Sequence, residues 1–254
     1  MTNHCKNIGS PISFIFHFSQ FTFHYSLFTI HFSQFTIHNS LFTTHHSQKK
    51  RMDIQYNYLE ILSWLEKKGK KDFGEKFYFH EQDIPNITKM VCYFLEDETT
   101  SAASGIDLTK GILLSGPIGC GKTTLMSLMR YVPKHPKKFF IKTCRDISFE
   151  FINDGYEVIH RYSFGHKTHA EHKNYCFDDL GTEKNLKYFG NECNVMAEII
   201  LSRYDIFISK KIYTHMTTNL SASEIETAYG NRVRSRMRNM LNLIAFDKNA
   251  KDKR

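Results

Sequence analysis

The residues best suited to chemistry lie where a short apolar stretch runs into a glycine-rich turn. Gly116, Gly121, Lys122 and Thr123 have the spacing G-x-x-x-x-G-K-[ST], and Gly119 lies inside it. Glycines allow successive backbone N–H groups to point inward at an anion. A helix that begins directly after the turn adds the positive end of its dipole. The spacing therefore predicts a phosphate-binding loop, or P-loop, between a strand and a helix.

This loop predicts a nucleotide as the ligand. The side chain of Lys122 is expected to reach the β- and γ-phosphates of ATP, and the hydroxyl of Thr123 is expected to hold Mg²⁺. Cys120 is interpreted as a small filler residue, with an oxidisable switch as the alternative. The predicted nucleotide-binding residues are Gly116, Pro117, Ile118, Gly119, Cys120, Gly121, Lys122, Thr123 and Thr124.

A second candidate group is a pair of acidic residues at the end of the apolar run from Tyr175 to Gly181. Asp178 is predicted to bind the Mg²⁺ water shell, and Asp179 to orient the attacking water. Asp179 is one methylene shorter than the glutamate that is usual at such a position. One parallel sheet can bring this run and the P-loop to the same edge. The alternative is an acidic strand end at a turn.

Two further polar groups follow along the chain. The β-branched run from Lys211 to Asn219 predicts a strand that ends in polar residues. Asn219, or Thr218 beside it, is a candidate for contact with the water that attacks the γ-phosphate. Four arginines then fall within residues 229–238, and composition alone favours a solvated basic helix face for them.

Apolar spacing and capping residues predict the elements that must position these groups. Helices are expected over residues 54–68, 83–96, 146–162 and 191–208. Strands are expected over residues 138–143, 175–181, 211–219 and 241–246. Asp83 is a possible N-cap, Ser221 with Glu224 forms a capping box, and residues 97–107 are polar and small, which predicts a linker. Residues 52–106 form a short helical segment, either a docking element or a brace on the main domain.

The composition is that of a soluble globular protein with room for one α/β domain and an appended segment. The 254 residues carry a formal net charge of +8. Residues 1–51 contain basic residues and no acid, so the rest of the chain is only mildly basic, which is compatible with nucleic acid. Six scattered cysteines favour a reducing cytosol. No apolar run approaches the roughly 18–20 residues of a membrane span, so we expect a cytoplasmic protein without membrane contact.

Residues 16–50 form a tandem repeat of seven residues, with a histidine and a serine in every copy. Phe, Thr and Ile favour strands over helices, and the charged residues that a coiled coil needs are missing. The histidines could bind a metal only if a fold brought them together. Translated repeat DNA has this form, and a sequence of ordinary composition begins at Met52. We therefore interpret residues 1–51 as low-complexity sequence that is either disordered or not native.

Taken together, the motifs resemble the AAA+ ATPases of the DnaC helicase-loader and IstB transposition-helper group. The resemblance covers roughly residues 107–254, which are expected to be an AAA+ P-loop ATPase domain. It rests on four segments in a fixed order, which are Gly116–Thr123, Asp178–Gly181, Thr217–Leu220 and Tyr229–Met237. The resemblance implies an α/β fold with a five-stranded parallel sheet in the order 5-1-4-3-2. It also implies helices on both faces of the sheet and no C-terminal lid domain.

The resemblance implies roles for single residues as well. Asn219 becomes a sensor-1 candidate. Arg236 becomes a candidate arginine finger, acting in trans on ATP in the next subunit of a homo-oligomer, with Arg232 as the alternative. A sensor-2 arginine is expected near the end of the chain, where Arg254 is the candidate.

Two functions fit these expectations. The first is an ATP-hydrolysing factor that assists DNA replication or transposition through nucleotide-gated assembly on DNA or on a helicase or transposase partner. The second is a nucleotide-switched protein adaptor of a mobile element or defence system, without direct DNA binding. A small-molecule kinase fits less well, because no mobile lid with clustered arginines follows the core. The segment before the P-loop carries no recognisable helicase-binding or transposase-binding signature, so the partner stays open.

We expect the natively expressed protein to begin at Met52. N-terminal sequencing of the untagged protein from its own source checks this, and a start at Met1 would contradict it.

Deletion of residues 1–51 is expected to leave folding and ATPase activity intact, because the segment has no acids to pair its charges. Loss of a cooperative melt in the truncated protein would show that the repeat packs on the domain.

Overall fold

A parallel β-sheet forms the centre of the structure, which is a computed structural model. The structure describes residues 55–132, 137–165, 172–183, 186–188, 191–250 and 252–253. The five strands of the sheet are β1 (Gly111–Ser115), β2 (Phe140–Thr143), β3 (Tyr175–Leu180), β6 (Thr214–Thr218) and β7 (Leu241–Ala245). A separate antiparallel pair consists of β4 (Leu186–Tyr188) and β5 (Asn191–Cys193).

The strand that leads into the P-loop, β1, lies inside the sheet between β6 and β7. The full order is β2-β3-β6-β1-β7, and every pairing within it is parallel. Counted along these five strands alone, the order is 2-3-4-1-5, which confirms the predicted order 5-1-4-3-2. Gly111 allows β1 to lie close to β6, because a Cβ there would be 1.8 Å from the carbonyl oxygen of Thr214. The carboxyl ends of β1, β3 and β6 therefore meet at one edge of the sheet.

The described helices are α1 (Tyr58–Phe73), α2 (Ile84–Leu95), α3 (Glu98–Ala103), α4 (Lys122–Met129), α5 (Cys144–Asp154), α6 (Tyr156–Phe164), α7 (Val195–Lys210), α8 (Ala222–Tyr229) and α9 (Asn231–Met240). The helices predicted over residues 54–68 and 83–96 correspond to α1 and α2. The predicted strands correspond to β2, β3, β6 and β7. The predicted capping box begins α8: the N–H of Ser221 donates to the Glu224 carboxylate at 2.7 Å, and the N–H of Glu224 donates to the Ser221 hydroxyl at 3.3 Å.

Two predicted helices differ from the structure. The helix predicted over residues 146–162 is wrong as one element, because Gly155 adopts φ 57° and ψ −140° between α5 and α6. Only glycine adopts this conformation readily. The helix predicted over residues 191–208 begins later, at Val195, and the residues before it form β5.

The acidic residues before α2 and α3 behave differently from each other. The Asp97 carboxylate accepts a hydrogen bond from the N–H of Thr100 at 3.0 Å and caps α3. The linker predicted over residues 97–107 therefore contains a helix. Asp83 lies at the N-cap position of α2, but its side chain makes no capping hydrogen bond, so its predicted capping role is wrong. The carboxylate pairs with Lys253 instead.

Two apolar layers cover opposite faces of the sheet. Successive residues of a strand point to opposite faces, and Cys176 and Phe177 of β3 accordingly belong to different layers. One layer contains buried side chains of α5, α6, α7, α8 and α9. The other contains buried side chains of α1, α2 and α4. The predicted placement of helices on both faces is confirmed.

The helices before the P-loop brace the domain. Leu65 of α1 and Met90 of α2 are fully buried in the same layer as Ile112 of β1 and Met126 of α4. All described residues belong to one compact unit that spans residues 54–254. Of the two interpretations of the short N-terminal helices, the packing supports the brace.

Some predictions concern parts of the chain that the structure does not describe. These are the repeat within residues 1–51 and the sensor-2 candidate Arg254. Beyond β7, the described residues 246–250 and 252–253 contain no further helix. Among the helices that are described, none has the length and apolar character needed to span a membrane.

Candidate nucleotide-binding site

The P-loop connects β1 to α4 at the carboxyl edge of the sheet. Gly119 and Gly121 have φ angles of 80° and 93°, a left-handed conformation that glycine adopts without steric cost. Lys122 is the first residue of α4, and its side chain turns back into the loop. Its Nζ donates hydrogen bonds to the carbonyl oxygens of Gly116 at 2.8 Å and of Pro117 at 2.9 Å. The structure thus places a buried ammonium group within the loop that is predicted to bind phosphates.

The second residue of α4 contacts the acidic end of β3. The Thr123 hydroxyl lies 3.0 Å from each carboxylate oxygen of Asp178 and donates to them. The Thr217 hydroxyl of β6 donates to the same carboxylate at 2.6 Å. Asp178 is only 3% exposed. This burial raises the pKa of its carboxyl, and the hydrogen bond from Thr217 opposes the shift.

Asp179 differs from Asp178 in conformation and exposure. Its φ of 56° is left-handed, and the pairing of β3 with β6 shifts register between Phe177 and Leu180. Aspartate tolerates this conformation better than most residues. The N–H of Asp179 donates to the Thr217 hydroxyl at 2.9 Å, so Thr217 contacts both acids. The Asp179 residue is exposed and lines the cavity beside the loop.

The residues predicted to bind metal fit magnesium. Mg²⁺ prefers oxygen ligands and usually takes one or two carboxylates from the protein, with phosphate and water oxygens completing its shell. Thr123 and Asp178 supply a hydroxyl and a carboxylate that are already in contact. A divalent cation here would also offset the cost of burying the carboxylate.

A cavity of about 520 Å³ opens beside the loop. It is lined by residues 118–124 of the loop and of α4, by Asp179 and by Asn219. Gly116 and Pro117 belong to the same loop, and their carbonyl oxygens accept the hydrogen bonds of Lys122. The structure therefore brings the predicted nucleotide-binding and water-orienting residues to one place.

An aromatic segment that the sequence motifs do not predict also lines this cavity. Its residues are Phe73, Phe77, Tyr78, Phe79 and His80. The ring centroids of Tyr78 and His80 lie 4.5 Å apart, and those of Phe77 and Phe79 lie 5.4 Å apart. Aromatic walls suit a planar base. The signal present in the sequence was the aromatic run between two predicted helices.

The arginines of α9 have different surroundings. Arg236 donates to the carbonyl oxygen of Leu201 at 3.0 Å, lies 3.5 Å from the Asp205 carboxylate and sits 4.8 Å from the ring centre of Tyr204. It therefore packs α9 against α7. Arg232 is exposed, and its side chain forms no hydrogen bond or ion pair within the described part of the chain. Neither arginine lines the cavity as described, and a role in trans for Arg236 stays a prediction that requires its guanidinium to leave these contacts.

Thr217 is a positioning residue, because its hydroxyl connects the two acids. We expect Thr217→Val to lower the free energy of unfolding by about 1–3 kcal/mol, since a buried carboxylate and a backbone N–H each lose a partner. Urea denaturation of the nucleotide-free protein measures this change. Thr227→Val is the matched control, because the Thr227 hydroxyl bonds a helix carbonyl at an exposed position. Equal urea midpoints for the two variants would contradict the shared role of Thr217.

Comparison with known proteins finds similarity at the level of structure. No family model and no curated protein matches the chain. The DnaC helicase loader is 18% identical with a TM-score of 0.46, over 68% of this chain and 94% of that one. DnaI is 16% identical with a TM-score of 0.46, over 68% and 89% of the two chains. AMPPCP-bound DnaA from Aquifex aeolicus is 13% identical with a TM-score of 0.44, over 68% and 49%. A DnaC helicase loader is thus one of the solved structures to which this chain is similar.

Proposed function

We propose that this chain binds ATP together with Mg²⁺ and hydrolyses the ATP to ADP and phosphate. The observation that carries the proposal is the contact of Thr123, at the start of α4, with Asp178 at the end of β3, at 3.0 Å. A P-loop alone would support phosphate binding. The pairing with a buried acid, next to an acid that lines the cavity, adds the groups that hydrolysis needs.

Each side chain has a task that its position permits. Lys122 exchanges its bonds to the loop carbonyls for bonds to phosphate oxygens, because charged acceptors form stronger hydrogen bonds. Thr123 and Asp178 hold Mg²⁺, which when bound neutralises phosphate charge. Asp179 orients the attacking water, and Asn219 at the end of β6 contacts that water or the γ-phosphate. The aromatic segment binds the base.

The proposed active form is a homo-oligomer in which an arginine of α9 acts on the ATP of the neighbouring subunit. Such an arginine stabilises the charge that develops on the transferred phosphoryl group. Arg232 meets this requirement because it is exposed and its side chain forms no hydrogen bond or ion pair within the described residues. Arg236, which the motif favours, would first have to leave Leu201 and Asp205.

The wider role that we propose is nucleotide-gated assembly on DNA or on a helicase or transposase partner, as in the group that the motifs resemble. The second candidate is a nucleotide-switched protein adaptor without direct DNA binding. The pairing of Arg234 with Glu226 at 2.6 Å and of Arg236 with Asp205 favours it, because it leaves less unpaired positive charge on α9. Retention on DNA that falls steeply with rising salt would separate the first candidate from the second.

The P-loop variants test the proposed activity. We expect Lys122→Ala to weaken ATP binding by about tenfold or more, because a charge-assisted contact with phosphate is lost. Asp179→Asn should retain ATP affinity within about twofold and slow phosphate release by about 10²-fold or more, since it removes a group that acts on the proton of water. Calorimetric titration and a phosphate-release assay measure the two effects. Lys248→Ala, an exposed lysine outside the site, is the control, and unchanged affinity in Lys122→Ala would overturn the P-loop assignment.

The arginines of α9 test the action in trans. We expect Arg232→Ala to bind ATP normally, because its own pocket is intact, and to lose about 10³–10⁵-fold in turnover. Mixing Arg232→Ala with Asp179→Asn should partly restore turnover, since some interfaces then combine an intact pocket with an intact arginine. Arg238→Ala, an exposed arginine on the same helix, should behave as the parent. If Arg236→Ala loses turnover instead and mixing restores it, Arg236 is the arginine finger. If none of these variants loses turnover, α9 carries no arginine finger.

A further inference from the structure

The described end of the chain lies against the P-loop. The N–H of Lys253 donates to the carbonyl oxygen of Gly119 at 3.0 Å, and its Nζ donates to the carbonyl oxygen of Cys120 at 2.9 Å. The residue before it, Asp252, lies so close that a Cβ on Gly119 would be 2.4 Å from its carboxyl carbon. The absence of a side chain at Gly119 therefore allows this approach.

The Nζ of Lys253 has a second partner, which lies 170 residues earlier in the chain. It pairs with the carboxylate of Asp83, which precedes α2. The side chains of Lys253 and Asp83 are 13% and 7% exposed, so the pair is largely removed from water. Both residues line the cavity beside the P-loop. One ammonium group thus joins the N-terminal helices, the P-loop and the described end of the chain.

The choice of carbonyls matters for anion binding. A P-loop binds phosphate when its N–H groups point inward, which requires the carbonyls of the same peptides to point away from the anion. Lys122 bonds the carbonyls of Gly116 and Pro117, and it must leave them when it turns to a phosphate. Lys253 bonds two other carbonyls, those of Gly119 and Cys120, so its contacts can persist when the nucleotide is bound.

We propose that Asp83 and Lys253 form a clasp that holds the P-loop in its anion-binding conformation. The carboxylate of Asp83 fixes the ammonium group of Lys253, and the ammonium group fixes the peptide carbonyls of the loop. Lys253 is a positioning residue for the nucleotide, and it acts on the loop without touching phosphate. The inference rests on the proposed ATP-binding function for its ligand, while the loop conformation that it describes is a property of the protein alone.

The first test uses ATP with Mg²⁺ as the probe, on the full chain. Lys253→Met and Asp83→Asn should each weaken binding by about tenfold, because each removes one end of the same charge-assisted contact. The double variant should be no weaker than either single variant, since both act through one clasp. Lys253→Arg should restore affinity to within about twofold. Lys248→Met is the matched control and should bind as the parent does.

These variants separate the clasp from its alternatives. If Lys253 contacted phosphate directly, Lys253→Met would weaken binding and Asp83→Asn would not, and this result would overturn the clasp. If the pair served stability alone, both variants would lower the melting temperature and leave ATP affinity unchanged, which would also overturn it.

A second measurement does not depend on nucleotide. In the nucleotide-free protein, hydrogen exchange of the P-loop amides should be about tenfold faster in Lys253→Met than in the parent or in Lys248→Met, because the loop is no longer held. Faster exchange in Lys253→Met than in the parent, with a parent that fails to bind ATP, would support the clasp and reject the proposed function. If the parent binds ATP and the P-loop amides of Lys253→Met exchange at the parent's rate, the clasp is rejected and the proposed function stands.

Discussion

The burial of one carboxylate governs the arrangement of the site. Asp178 is almost completely removed from water, and a buried carboxylate is costly unless hydrogen bonds or a cation compensate for its lost hydration. Its partners Thr123 and Thr217 come from the first turn of α4 and from β6. Both can reach it because β6 lies between β1 and β3 in the sheet. The strand order is therefore what brings the P-loop, the acidic pair and the polar end of β6 together at one edge of the sheet.

This edge of the sheet is predictable because its residues follow strands whose order the family resemblance implies. The expectation that the P-loop and the acidic run share one edge follows from a single parallel sheet. The break at Gly155 is not predictable in the same way, because a single glycine within a helical pattern does not require a break. The pair of Asp83 and Lys253 is also outside the reach of pattern reasoning, since it joins residues far apart in the chain. Local spacing carries no information about such contacts.

The surroundings of the arginines of α9 are also not predictable from a sequence motif. The resemblance favours Arg236 over Arg232, but it takes no account of what surrounds each guanidinium group. Their environments nevertheless differ, because α7 offers a carbonyl, a carboxylate and an aromatic ring to Arg236. Long side chains take the partners that tertiary packing supplies. A motif therefore identifies a helix that carries candidate arginines, and the packing of that helix decides which guanidinium is available to another molecule.

The N-terminal helices share an apolar layer with the helix that follows the P-loop. α1 and α2 bury side chains in the same layer as α4, the helix that begins with Lys122 and Thr123. Proteins open in cooperative units that often coincide with supersecondary motifs. A partner bound to α1 would therefore perturb the packing of α4, the helix that begins with Lys122 and Thr123, without contacting either residue. The helices α1 and α2, which lie outside the motifs, thus belong to the same packed layer as the helix that supplies Lys122 and Thr123.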